Sequence, residues 1–308
     1  MSNNNNYIEY INEQASGDSA SAFISECEYK YRNKLKTISE KINDENKSIV
    51  LLAGPSSSGK TTSARLIGEC LRTYGKNVFT VSLDDYYKDS YTAPLNEKGV
   101  PDFESVDALD LDLLEENLYS LNKNGFCEKP VFDFTTGRRK EQREHLVVSE
   151  GDVIVVEGLH ALNNVIADHL PSEKVLKLYV NLNSRIYNEK GKIILNKRNC
   201  RFVRRMIRDK KFRASSVEYT YKLWENVVAG EEKYLFPFKD SADIKINSLH
   251  LYEPCIFRNE AIKLLEEVGK ESAYYNESRE LINALKQFES LPWVDVPTTS
   301  LLREFIGY

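Results

Sequence analysis

Apolar positions follow two rhythms along this chain. Short runs rich in apolar and β-branched residues ("SIVLLAG" at 48–54, "NVFTVSL" at 77–83, "DVIVVEG" at 152–158, "KVLKLYVN" at 174–181, "ADIKIN" at 242–247) read as strands. Elsewhere apolar residues return every three or four positions. That spacing predicts helices over 22–43, 61–74, 107–125, 199–211 and 216–230, and over 255–268 and 277–289 in the tail. Gly75 and Gly125 stand where helix C-terminal caps belong. Strands that alternate with helices predict an α/β fold, a parallel sheet flanked by helices on both faces. Residues 1–20, rich in Asn and Ser, predict a frayed end. The expected organisation is a polar tail and helix over 1–46, one α/β domain over 47–250 and a helical C-terminal extension over 251–308.

Composition narrows the class. An apolar fraction of 41% and a charged fraction of 29% are those of a soluble globular chain. A net charge of −5 argues against a nucleic-acid coat. Cys27, Cys70, Cys127, Cys200 and Cys255 are scattered and form no CxxC pair, so they read as reduced thiols and not as a zinc site. No apolar run nears the roughly 20 residues of a membrane helix. The polar start "MSNNNNYIEY" lacks a signal-peptide core, so the expected compartment is the cytoplasm.

The strongest chemical signal is Gly54-Pro55-Ser56-Ser57-Ser58-Gly59-Lys60-Thr61, a full match to G-x-x-x-x-G-K-S/T between a predicted strand and a predicted helix. Gly54 and Gly59 let backbone wrap phosphate oxygens, and successive N–H groups with the helix N-terminus aim at the anion. Thr62 completes the cradle. Lys60 supplies positive charge to the β/γ phosphates, and the Thr61 hydroxyl suits Mg²⁺. The motif therefore predicts a P-loop nucleotide-binding fold. "SLDDYY" (82–87) ends the next strand, and strand C-terminal ends face the crevice of an open parallel sheet. An acid there can accept a proton from an attacking hydroxyl or help hold Mg²⁺; capping of the next segment is the alternative for Asp84 and, more so, for Asp85.

"GPSSSGKTT", "SLDDYY", "DFESVDALD", "PVFDFTTGRRK", "VIVVEGLHAL" and "RFVRRMIRDKKFR", in that order over about 48–250, resemble the uridine kinase family, within the uridine kinase/phosphoribulokinase group of P-loop kinases. The resemblance implies transfer of the ATP γ-phosphate to the 5′-hydroxyl of a nucleoside, with Mg²⁺. It puts the catalytic base on Asp84 and a substrate-facing aromatic on Tyr87. Glu104 stands where the family has a diol-binding aspartate; a helix-start acid is the alternative reading. Phe132 and Phe134 would stack on the base, or else belong to the core, and Arg139 would sit near the acceptor. Gly137 replaces a base-reading histidine, which puts uridine specificity in doubt.

Glu157 ends the strand "DVIVVEG", where an acid can orient Mg²⁺ or its waters. His160 follows, as a substrate neighbour or a packing residue. In 201–213, at about 100° per residue, Arg201, Arg204, Arg205 and Arg208 form one stripe and Phe202, Val203, Met206 and Ile207 the opposite one. Such a helix docks by its apolar side and offers arginines to an anion. By resemblance, Arg205, Arg208 and Arg213 are lid arginines that stabilise the transferring phosphoryl group, and Ser215 replaces a further one. The reading is an ATP- and Mg²⁺-dependent kinase of a small-molecule hydroxyl, uridine or cytidine first, with a lid that closes over the reactants. A non-nucleoside acceptor, such as a sugar phosphate or a pantothenate-like alcohol, is the nearest alternative, and a non-catalytic nucleotide-binding module is another. No nucleic-acid or membrane partner is expected, and a homo-oligomer is possible.

Overall fold

The computed structural model describes residues 6–95, 99, 102–133 and 136–307. Five strands form one sheet: β1 (Ile49–Ala53), β2 (Val78–Ser82), β7 (Val153–Gly158), β8 (Val175–Asn181) and β11 (Ile244–Asn247). Their order is β11-β8-β1-β7-β2, and every pairing is parallel. β1 is central and buried throughout, and its alternate residues feed two cores. Val50 and Leu52 belong to one, and Ile49, Leu51 and Ala53 to the other, as a period of two requires.

Helices α1 (Ile8–Ala15), α2 (Ala20–Asp44) and α3 (Lys60–Arg72) precede or follow β1. Next come α4 (Leu111–Asn124), the short strands β3 (Phe126–Lys129), β4 (Phe132–Asp133), β5 (Arg138–Arg139) and β6 (Glu144–Val147), and α5 (Asn164–Ala167). Beyond β8 lie β9 (Ile186–Tyr187), β10 (Ile193–Leu195), α6 (Lys197–Arg213) and α7 (Val217–Gly230), and beyond β11 lie α8 (Glu253–Glu266), α9 (Tyr275–Leu285) and α10 (Arg303–Ile306). Local signals set several ends. Asp110 caps α4 by accepting from Leu113 N–H at 3.2 Å, and Gly125 closes it in the left-handed region at φ +78°. Asn196 caps α6, accepting from Asn199 N–H at 2.9 Å, and Ser216 caps α7.

Two expectations change. From residue 6 onward the expected frayed end is ordered: α1 buries Ile8, Ile11 and Ala15 against the main core. The predicted helix over 107–125 splits into a short 3₁₀ turn, Val106–Ala108, and α4, because Asp110 caps a fresh helix. Both terminal extensions are built into the core. α2 sends Phe23, Ile24, Cys27, Tyr31, Leu35, Ile38 and Ile42 inward, at helical spacing. Leu301, Leu302, Phe305 and Ile306 come from the far end of the chain into the same core. A buried polar chain joins the two extensions: Tyr252 Oη donates to Glu28 Oε1 at 2.6 Å and meets Ser300 Oγ at 3.3 Å. The five cysteines are free. Among the described residues no helix is long and apolar enough to cross a membrane.

Phe305 is fully buried, edge-on to Phe257 and beneath the Arg204 guanidinium. Phe305→Ala should cost about 3–5 kcal/mol of unfolding free energy, read by urea denaturation. A loss under about 1 kcal/mol would mean that the C-terminal segment does not share the core's cooperative unfolding.

Candidate active site

The loop between β1 and α3 wraps a cleft of about 650 Å³ beyond the C-terminal ends of β1, β2 and β7. The wrap needs unusual backbone. Gly59 takes φ +89° and Ser57 φ +59°. A Cβ on Gly54 would lie 2.3 Å from the Val180 carbonyl oxygen, so only glycine lets β1 turn so close to β8. Lys60 reaches back over the loop, its Nζ 3.0 Å from Gly54 O. The Ser57 and Ser58 hydroxyls are buried with no partner among the described residues. Two orphaned donors beside a lysine and a helix N-terminus fit the oxygens of an anion.

α6 holds this loop from behind. Arg201 donates to Ser56 O at 3.2 Å, Arg204 to Ser57 O at 3.2 Å and Arg205 to Ser56 Oγ at 2.9 Å. Glu231 balances Arg201 through two bonds of 2.6 Å and also takes Ser56 N–H at 2.9 Å. Glu253 balances Arg204 at 2.6 Å. Arg201 and Arg204 are buried and face the loop's carbonyls; they offer nothing to an anion in the cleft. The expected arginine stripe therefore divides. Its first half is structural, and Arg205, Arg208 and Arg213 border the cleft. All three are anchored on buried Asp209, at 3.1, 2.8 and 3.7 Å respectively. Most of α6 is core, whereas its last turn, Lys210 to Arg213, is exposed.

The acids lie at the strand ends, as a parallel sheet dictates. Register pairs Ser82 of β2 with Glu157 of β7. Glu157 Oε1 accepts from the Ser82 hydroxyl at 3.2 Å and the Thr61 hydroxyl at 3.3 Å. Burial pushes its carboxyl up to about 7, against the pull of Lys60. Asp84 opens onto the cleft, yet protein surrounds it closely. That desolvation raises its carboxyl above the usual range, while Lys60, Arg213 and Arg208 draw it back. Asp85 points away; it binds Lys129 at 2.5 Å and Phe132 N–H at 3.2 Å and so fixes the start of the β4–β5 hairpin. This hard-oxygen set of Thr61, Glu157 and Asp84 fits Mg²⁺ taken up with phosphates.

The opposite wall is aromatic. Tyr87 meets Phe103 edge-on at 5.4 Å and Phe132 at 5.6 Å. Glu104 closes the wall, packed on Gly230 so tightly that a Cβ there would lie 2.3 Å from its own Cβ. Burial pushes Glu104 up to about 8, helped by the charge of Glu231 and opposed by Arg205. His160 is packing: it is buried, held neutral by burial with its pKa near about 4, and touches the Glu104 carbonyl oxygen at 3.0 Å. Arg139 corrects the sequence reading. It faces out of the cleft and braces the wall, donating to Tyr87 O at 2.8 Å and pairing with Asp110 at 2.9 Å. Phe134 lies outside the described residues. Pro55 and Gly54 sit behind the cradle, and Thr62 turns to Glu304, donating to its Oε2 at 2.7 Å. Sequence reasoning missed Glu231 and Glu304. Glu231 meets the loop and Glu304 the first turn of α3, each across more than 170 residues of chain, with no local motif to betray it.

A sequence profile of the Phosphoribulokinase / Uridine kinase family matches residues 49–252. The chain belongs to that family. It is similar to curated proteins named uridine kinase: 33% identical to that of Staphylococcus haemolyticus, over 65% of this chain and 87% of the relative. Against that of Bacillus pumilus it is 31% identical, over 64% and 85%. Against that of Lactobacillus helveticus it is 30% identical, over 64% and 84%. Membership makes this an ATP-dependent kinase of hydroxyl acceptors. α1, α2, α8, α9 and α10 lie outside the matched region, although Tyr31 of α2 bonds Ser63 Oγ at 2.6 Å and so steadies the first turns of α3.

The raised carboxyls make stability depend on pH. Glu157 keeps its proton to about 7 when folded, above its ordinary 4.5. Its contribution is complete below about 4.5 and is lost as pH rises through about 7. Glu104 extends the same loss to about 8. Thermal melting of the ligand-free protein should therefore fall across this window, and Glu157→Gln should remove much of the fall. An unchanged slope in the variant would mean that Glu157 is already ionised throughout.

Proposed function

We propose that this kinase transfers the γ-phosphoryl group of ATP to a hydroxyl of a small molecule in the cytoplasm, the 5′-hydroxyl of uridine or cytidine being the leading acceptor. One observation carries the reading: Asp84 stands in the same cleft as Lys60 and the aromatic wall, with its carboxyl raised towards the proton-accepting range. Phosphates lie along Ser57–Thr61, and the acceptor lies against Tyr87, Phe103 and Phe132. Asp84 takes the hydroxyl proton. The acceptor oxygen bonds to the γ-phosphorus as the bond to the β-phosphate oxygen breaks, and ADP leaves. Thr61 and Glu157 would hold Mg²⁺, which neutralises developing charge. Lys60, Arg205, Arg208 and Arg213 spread the charge over the equatorial oxygens. Glu104 has the reach and the burial to take a vicinal diol. The names of the relatives support a nucleoside acceptor.

A non-nucleoside acceptor is the second reading, and Gly137 favours it. Gly137 has φ +66°, its carbonyl accepts from Ser90 Oγ at 2.7 Å, and a Cβ there would lie 2.1 Å from that oxygen. A histidine here would take a strained left-handed backbone and would have to displace the Ser90 hydroxyl from the Gly137 carbonyl. The base edge must then be read by another group, or the acceptor carries no base.

ADP release with Mg²⁺ and ATP, measured against uridine, cytidine, other nucleosides, ribulose 5-phosphate and pantothenate, decides between them. Asp84→Asn should lower kcat about 10²–10⁴-fold with little change in KM for ATP. Turnover on uridine or cytidine that collapses in the variant supports the first reading. Turnover confined to another acceptor replaces the substrate and keeps the mechanism, and retained turnover in the variant removes Asp84 as the base.

A further inference from the structure

The C-terminal segment lies beyond the family match, yet it reaches the phosphate cradle. Glu304 Oε2 accepts the Thr62 hydroxyl at 2.7 Å, in the first turn of α3. Glu304 also borders the cleft beside Lys60 and Thr61. Among the described residues it has no basic partner. Its negative charge helps hold the Glu157 carboxyl up. One turn back, Leu301 closes on Gly59: a Cβ there would lie 2.4 Å from Leu301 Cδ1.

The backbone that carries Glu304 is fixed. Leu301, Leu302, Phe305 and Ile306 are buried. Arg303 donates to the carbonyls of Gly307, Trp293 and Val296. The Glu304 side chain itself is only half-buried and borders the cleft.

The first turn of a helix favours an anion. Here the chain supplies its own. The phosphates of a donor come to the same turn, and two anions in a partly desolvated cleft repel. A Thr62 hydroxyl that donates to Glu304 also has no proton left for a phosphate oxygen. We propose that Glu304 is an internal competitor of the donor's phosphates: it holds Thr62 in the ligand-free chain, weakens nucleotide binding and hastens the departure of ADP. Its part is to set affinity, and it takes no part in the chemical step. The proposal rests on the cleft being the ATP site.

Calorimetric titration of ADP and of inorganic pyrophosphate, each with Mg²⁺, into the full chain tests this. The proteins are wild type, Glu304→Gln and Glu304→Ala, with Lys60→Ala to identify cradle binding. Gln keeps an acceptor for Thr62 and removes the charge. Both Glu304 variants should bind both ligands at least about tenfold tighter, ~1.4 kcal/mol, with slower release of ADP. Unchanged or weaker binding in the variants, with wild type binding normally, overturns the proposal alone. Tightening for ADP but not for pyrophosphate also overturns it, because Glu304 would then face the nucleoside. If no protein binds either ligand, the proposal falls together with the assignment of the cleft.

Discussion

A loop that turns its N–H groups toward an anion must turn its carbonyls the other way, and those carbonyls need donors. This constraint organises the protein. Arg201 and Arg204 supply the donors for Ser56 and Ser57 from within the core. Two buried guanidinium groups then need two buried carboxylates, Glu231 and Glu253. Removing either partner of such a pair leaves an uncompensated charge, which costs about 3–5 kcal/mol. The cradle is thus held in shape before any phosphate arrives, and α6 is tied down as a consequence. A basic helix that looks like a mobile lid is for most of its length a bracket.

The cleft sorts its carboxyls by surroundings. Glu157 is bonded by two hydroxyls at a strand end, Asp84 opens between a lysine and an aromatic wall, and Glu104 sits among other acids against a glycine. Desolvation raises all three, and Lys60 opposes it in each case. Asp85, next in sequence to Asp84, has left the cleft altogether to anchor the hairpin that carries Phe132. Adjacent acids thus do different work because a 3₁₀ turn, Leu83–Tyr86, points them apart. The wall they face is braced from outside, by Arg139 on the Tyr87 carbonyl and Asp110.

Much of the fold was legible because its signals are local. Five apolar runs, two helical spacings on either side of the cradle and caps such as Asp110 and Gly125 each act within a few residues. The cradle, Asp84 and Glu157 were legible for the same reason: a motif and two strand ends carry their own context. The order of the ended frayed region was not, since α1 is stabilised only by the core it meets. The division of the arginine stripe was equally hidden. Periodicity gives a face of a helix, and only the partner across the gap decides whether that face meets solvent, a ligand or a carboxylate.

The sequence by itself determined the parallel α/β architecture, the phosphate cradle and the acids at the strand ends. These depend on backbone geometry and neighbours along the chain. The tertiary structure alone decided that Arg201 and Arg204 are structural, that Arg139 braces the wall instead of facing the acceptor, and that the Ser90 hydroxyl closes on Gly137. It also decided that Glu304 bonds to Thr62, at a separation of 242 residues. Such contacts arise where packed elements converge, and no spacing along the chain encodes the distance between two surfaces that only the core brings together.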